Sequence, residues 1–458
     1  MKNKTMMHRR KLLQVMGLYQ SFSLMKSIRA NTLDSKALGP DYAKYKGSKV
    51  VISIPAHPHY FAMMKLLPFF TKETGIRVEV ERMDSKNIKA KQMLEMGKAV
   101  GDFDLVSYVA MWKTEYVKKK LLHNLESFFR DQSLTDPNYD LKDIVPIYLE
   151  NIGMVGGVKG YLGGKGSSLY GIPYGAETSI LAYRRDVFDR FKLSPPKTYE
   201  ELKWILPVIH DKTHQGSMTS RGLVGHQCVH AWLLHLSPLG GKVFDNQWEP
   251  AFTNQSAVDA LDTLKLIVET GPKDIPYFDQ GDMIASFIKG QASMYLDSSL
   301  IYSLIEQNVS SKFAQNIGYA LHPKGVFNSS ETGGLGMGIA QNSRNPEGAF
   351  LLLQWLTSKK QDLMVCQFGG VPTRLSTLSD PAMQQRFPQF KLLKEQLTFA
   401  NPDWRPIIAQ WDLINTEFLG KAIYAAITKK EDSKEALMSV MPNVRKIMVE
   451  GGYLQGST

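Results

Sequence analysis

Apolar residues recur along this chain at two alternating periods. Val50-Val51-Ile52-Ser53-Ile54 is an apolar run of strand length, and Pro55 to His59 follows it as a loop. Tyr60 to Thr71 carries Phe61, Met64, Leu67 and Phe70 at helical spacing, and Gly75 ends it. Ile76 to Val80 then alternates every second residue, as a strand does. A strand, a helix and a strand in that order predict a parallel pair with a crossover helix. A helix from Lys86 to Met96 leads to a third strand, Phe103 to Val106, so the first region reads as α/β with an open sheet. Gly153 to Gly171 is glycine-rich and low in charge, a loop or a hairpin. From Pro173 the pattern restarts. Ile180 to Tyr183 is a strand, and Thr198 caps a helix that begins at Tyr199. Residues 226–310 are mostly helical by spacing, and Ile317 to Leu321 and Leu335 to Ala340 are strands. Asn345-Pro346-Glu347 opens a helix over Gly348 to Thr357, and residues 404–450 read as two amphipathic helices. No internal repeat is present.

Composition narrows the classes. A chain of 458 residues with 43% hydrophobic and 22% charged residues is globular and long enough for two or three domains. The net charge of +11 is concentrated at one end. Residues 1–30 hold seven Lys and Arg and no acid, which leaves +4 for the remainder. Lys118 to Lys120, the longest basic run beyond that end, reads as a solvated helix face, and basic and aromatic residues do not interleave, so no nucleic acid is expected as a partner.

The basic end reads as an address. His8-Arg9-Arg10-Lys11-Leu12-Leu13-Gln14 resembles a twin-arginine export motif, and Leu12 to Met25 is uncharged but too short and polar to span a membrane. Residues 1–30 are expected to be a signal peptide and 31–48 a linker. No cysteine lies near the signal, so the exported form is expected to be free of a lipid anchor, and the periplasm is the compartment that would retain it. Cys228 and Cys366 are expected to be two free buried thiols.

Catalytic motifs do not appear. The chain has no GxSxG, HExxH or CxxC, and Gly164-Lys165-Gly166-Ser167 lacks phosphate-loop spacing. His226 and His230 are four apart, so on a helix they share a face and could ligate a metal; a metal or siderophore binder is one alternative. A periplasmic glycoside hydrolase using Glu177 or Asp297 is another. His57 and His59 follow the first strand, where ligands of open α/β sheets bind. Trp112, Tyr174, Trp232, Tyr295 and Trp411 lie near strand ends or on polar helices, and flat rings suit the C–H faces of a sugar.

The order of several segments resembles the extracellular solute-binding proteins of ABC importers, in the carbohydrate- and polyol-binding group that includes maltose-binding members. Phe69-Phe70-Thr71-Lys72-Glu73-Thr74-Gly75-Ile76-Arg77-Val78, Asp102-Phe103-Asp104-Leu105-Val106 and Leu169-Tyr170-Gly171-Ile172-Pro173-Tyr174 are similar to family segments. So are Pro195-Pro196-Lys197-Thr198-Tyr199-Glu200-Glu201-Leu202, Phe287-Ile288-Lys289-Gly290-Gln291-Ala292-Ser293-Met294, Gly333-Gly334-Leu335-Gly336-Met337-Gly338-Ile339 and Gly369-Gly370-Val371-Pro372-Thr373-Arg374. The resemblance covers nearly all of residues 48–455.

It implies an α/β fold of two lobes joined by hinge strands, with a sugar or polyol in the cleft between them. It places residues 49–174 and 332–373 in one lobe and 175–331 and 374–458 in the other, with crossings near Tyr174, Thr332 and Thr373. It implies a binding protein, expected as a monomer without cofactor or metal, that delivers its ligand to ABC permease subunits in the inner membrane and performs no chemistry. The expected contacts are His57, His59, Tyr108, Trp112, Tyr174, Glu177, Trp232, Asp297, Leu335 and Arg374. Leu335 stands where the family often has Trp, which removes one stacking face.

Overall fold

In the computed structural model, which describes residues 39–84, 86–307 and 314–455, the first apolar run is strand β1 (Lys49–Pro55). The export segment lies outside the described residues. β1 pairs in parallel with β2 (Arg77–Met83) and with β3 (Leu105–Val109), as the strand–helix–strand pattern requires. The connecting helix differs from expectation. It is two helices, α1 (Pro58–Met64) and α2 (Leu67–Thr74), because Pro68 lies in the first turn of α2. A proline lacks the N–H that a helix interior needs, so the apolar spacing continued across a break that Pro68 imposes. Gly75, at φ +76°, ends α2 as expected.

The glycine-rich stretch is a hairpin of β4 (Met154–Val155) and β5 (Ser168–Leu169) with a long tip between them. β6 (Ile172–Arg184), β7 (Gly216–Thr219), β8 (Ala292–Ser298), β9 (Ile317–Ala320) and β10 (Thr332–Ile339) complete the sheet. Its order is β2-β1-β3-β10-β6-β8-β7, with β9 also on β6. β6 is the shared strand. Ile172 to Thr178 pairs with β10, whereas Ser179 to Arg184 pairs with β8 and β9. One half-sheet therefore hands over to the other between Thr178 and Ser179. β10 bulges between Gly334 and Gly336. Gly334 has φ +86°, and a Cβ there would stand 2.4 Å from the Gly175 carbonyl, so only glycine fits where the two crossing strands touch.

Helices cover the second half. α3 (Tyr199–Thr213) is capped by Thr198, whose hydroxyl accepts from the Glu201 N–H at 3.2 Å. α4 (His226–Leu236) and α5 (Gln255–Thr270) pack with α7 (Gly420–Lys429) and α8 (Ser433–Glu450) around Trp232, Trp404 and Trp411. α6 (Pro346–Leu356), capped by Asn345, lies against β1 and β3 instead. The largest core cluster begins at β1 and β3 and continues through β6 to Phe287 and Tyr295. Cys228 and Cys366 are free and buried, as expected.

One segment differs locally from the sequence reading. The segment read as linker to residue 48 is already folded at Tyr42–Tyr45, where buried Tyr45 donates to Glu347. Thr373 is anchored on Asp362 at 2.8 Å, and Leu378, Phe390 and Leu393 join the cluster that contains β1. Phe399 to Asn401 bracket Ser330 by backbone hydrogen bonds.

Candidate functional site

The place where β6 and β10 cross collects polar side chains from both halves. Glu177 lies on β6, Asp297 and Ser298 end β8, and Glu331 immediately precedes β10. Arg221 comes from the loop after β7, and the helical spacing of α4 sets His226 and His230 on one face, their rings 5.8 Å apart. His57 caps α1, and Tyr148 ends the short helix Pro146–Tyr148. Arg405 lies with its guanidinium 4.7 Å over the Trp404 ring.

Two of the acids are taken up by protein partners. Arg221 grips Asp297 through both ends of its fork, with Nε 2.9 Å from Oδ2, and the Ser298 N–H donates to Asp297 Oδ1 at 2.7 Å. Glu177 accepts from the Ser298 hydroxyl and stands 3.6 Å from His57 Nε2. Burial alone would raise the Glu177 carboxyl, but His57, Ser298 and Arg221 outweigh it, and the net shift is downward.

The others are unsatisfied. Glu331 Oε1, both ring nitrogens of His230, Arg405 Nε and the Tyr148 hydroxyl are buried without a hydrogen-bond partner among the described residues. His230 Nε2 is 3.3 Å from Glu331 Oε2 and 3.6 Å from Asp297 Oδ2, near but not directed as a hydrogen bond. Burial, with Asp297 and Glu177 nearby, pushes the Glu331 carboxyl well above the usual range. Burial, with Arg221 close, holds the His230 imidazole neutral, well below its usual value. Burial also lowers the Arg405 guanidinium to about 10. Buried polar atoms are normally paired, so five together make this place the candidate for an outside partner.

A metal reading can be tested on the same groups. His230, Asp297 and Glu331 each offer a ligand atom within 4.8 Å of the others. However, Asp297 already holds Arg221 through both oxygens, and a cation there would face that guanidinium at close range. His226 instead pairs with the Asn415 amide at 3.0 Å. The donor set therefore fits hydroxyl groups better than an ion.

Of the ten expected contacts, the structure brings His57, Glu177 and Asp297 to this place. Tyr174 sits just below it, its ring 4.2 Å from that of His59, and its hydroxyl is buried without a partner. His59 is fully buried; its Nδ1 accepts from the Val371 N–H at 3.0 Å, and its Nε2 has no hydrogen-bond partner among the described residues. Four other expected contacts are buried among protein groups. Tyr108 points into the core and donates to the Ile152 carbonyl at 2.9 Å. Trp232 is fully buried and donates to the Ala257 carbonyl at 3.1 Å. Leu335 packs inside the sheet core. Arg374 is fully buried, lies 4.7 Å over Tyr139, and donates to Thr357 and Asp140 carbonyls, far along the chain from the crossing. Trp112 packs on Tyr116 beside Lys89. Sequence reasoning missed Tyr148, Arg221, Glu331 and Arg405. Glu331, just ahead of the Gly333-Gly334 segment, had the one usable signal, its place at a crossing strand.

Comparison with known proteins bears on the family and the fold. The family model for bacterial extracellular solute-binding proteins matches residues 60–362. This chain belongs to that family, and its fold is the two-lobe fold with strands crossing between the lobes. It is 24% identical over 377 residues to a mannitol-binding protein of Pseudomonas aeruginosa, covering 77% of this chain and 82% of that one. It is 23% identical over 429 residues to a probable amino-acid ABC transporter periplasmic-binding protein of Sinorhizobium fredii, covering 90% and 92%. A crystal structure of an ABC transporter solute-binding protein from Agrobacterium radiobacter in complex with ribitol superposes with a TM-score of 0.77, at 25% identity, covering 88% of this chain and 99% of the other.

Proposed function

We propose that this protein is the substrate-binding component of an ABC importer and that it carries a sugar or polyol between its two lobes to a membrane permease. The observation that carries the reading is the set of buried, unpartnered polar atoms where the lobes meet. Hydroxyl groups both donate and accept, so a run of them can satisfy donors and acceptors in one enclosed space. The polyol named for the mannitol-binding relative and the ribitol of the Agrobacterium complex support that substrate class. His57 and Glu177 remain proposed contacts at the rim of the set. Binding without chemistry fits the acids at hand, because Asp297 and Glu177 are occupied by Arg221, Ser298 and His57 rather than poised as an acid–base pair. Export to the periplasm as an unanchored monomer completes the proposal; no described helix is long and apolar enough to cross a membrane.

Trp404 supplies the test. Its ring lies 5.2 Å from His230, so a solute bound there changes its fluorescence. Titration of the purified protein with mannitol, ribitol, maltose and a range of amino acids is expected to give a saturable change for at least one polyol or sugar. Saturation by an amino acid with none by any carbohydrate would replace the substrate class.

A further inference from the structure

Resting on the reading of the crossing as a carbohydrate site, we propose that Arg405, Glu331, His230 and Tyr148 together contact the solute and select an uncharged vicinal diol over analogues bearing a carboxylate or an ammonium group. The argument begins with which charges are already matched. Arg221 and Asp297 neutralise one another bidentately, and Glu177 is held by Ser298 and His57. What remains is one guanidinium and one carboxyl, each nine-tenths buried. Arg405 has no acceptor for Nε, Glu331 has no donor for Oε1, and Tyr148 has no partner for its hydroxyl.

Arg405 is a donor only, through a planar fork that matches two oxygens side by side. Glu331 and His230, 3.3 Å apart, supply donor and acceptor capacity side by side. A pair of adjacent hydroxyls completes both halves at once, each oxygen accepting from Arg405 and each proton passing to the Glu331–His230 side. Tyr148, in the field of Glu177 and Glu331, adds a group that can act either way. A solute carboxylate would satisfy Arg405 but bring a negative charge beside Glu331, Glu177 and Asp297. A solute ammonium would satisfy Glu331 but face Arg405 and Arg221. In an enclosed site each mismatch leaves one like-charge contact undischarged by water. The selectivity thus arises from two opposed groups, and removing either should relax it in one direction only.

The experiment is calorimetric titration of the purified protein at pH 7.5 with D-glucitol, D-mannitol and ribitol, with 1-amino-1-deoxy-D-glucitol, with D-gluconate and with free amino acids. The wild-type protein is expected to bind a neutral polyol about 100-fold more tightly than the amine or the acid. Arg405→Gln should narrow the gap to the amine about tenfold and leave the gap to gluconate unreduced, and Glu331→Gln should do the converse. A residue that merely holds the fold would weaken all three solutes alike. Equal or tighter wild-type binding of the acid, the amine or an amino acid overturns the proposal, as do variants whose ratios do not move. If a variant binds nothing, the wild-type ratios alone decide. Binding of no carbohydrate at all is a separate result, which refutes the underlying reading.

Discussion

Asp297 and Arg221 show how much a single contact fixes at the crossing. Both are buried, and each supplies the charge the other requires. Asp297→Ala leaves the Arg221 guanidinium uncompensated, and the expected loss is about 3–5 kcal/mol of stability, read as a lower denaturation midpoint. An unchanged midpoint would mean that Arg221 is not enclosed as described. The histidines give a pH dependence of definite sign. Tyr199 joins His235 Nδ1 at 2.9 Å to His322 Nε2 at 3.1 Å, and the Ser179 hydroxyl lies 2.8 Å from His322 Nδ1. Burial lowers His235 and His322 from 6.5 to about 3. Their neutral forms favour the fold fully above 6.5, and that contribution is lost as pH falls toward 3. At pH 5 the loss is roughly 2 kcal/mol for each. Glu331, raised, acts oppositely: its contribution is present below 4.5 and lost as pH climbs through its elevated value. Burial lowers His59, His226 and His230 as well as His235 and His322, against the raised Glu331, so the melting temperature should fall between pH 7 and pH 5, and His322→Gln should flatten that fall; a rise on acidification contradicts it. Residue roles were the least legible in the sequence. Asp297 was readable as a polar strand end, but nothing in one chain of letters shows that both its oxygens face Arg221. Arg374 was readable as a planar fork, but nothing in one chain of letters shows that it donates to the Thr357 and Asp140 carbonyls.

Elements were read more completely, because periodicity reports burial directly. The parallel β1–β2 pair, the Thr198 and Asn345 caps and the β4–β5 hairpin all follow from local patterns. The misreadings have local causes as well. Pro68 breaks a helix whose apolar spacing runs on. The hairpin tip has a role the sequence did not suggest. Tyr161 and Leu162 are inserted among the α4, α5, α7 and α8 side chains. Lys159 Nζ lies 2.7 Å from Asp403, which also accepts from the Tyr161 hydroxyl. Asn151 reaches the Pro402 carbonyl at 2.8 Å. The tip thus straps one half-sheet's chain to the helices of the other half. Asp403→Ala should weaken solute affinity about tenfold through faster release, with the order of preferred solutes unchanged. Stopped-flow fluorescence measures this, and an unaltered release rate would show that the strap does not hold the closed form.

At the scale of the whole molecule, function rests on two lobes that share few covalent crossings. Hinge closure of this kind ties affinity to contacts made only when the halves meet. Under the proposal, Glu331 just ahead of β10 would supply such contacts together with Tyr148, His230 and Arg405. Delivery to a permease also requires export. Replacing Arg9 and Arg10 together by Lys is expected to leave the protein inside the cell if the twin-arginine motif is its route; normal periplasmic yield would indicate a different one. Small-angle scattering of the purified protein, titrated with the polyol that binds and with the solute assayed afterwards, tests the central claim most directly. The account predicts a smaller radius of gyration at saturation and full recovery of unaltered polyol. An unchanged radius with the solute bound, or conversion of the polyol to another compound, would contradict it.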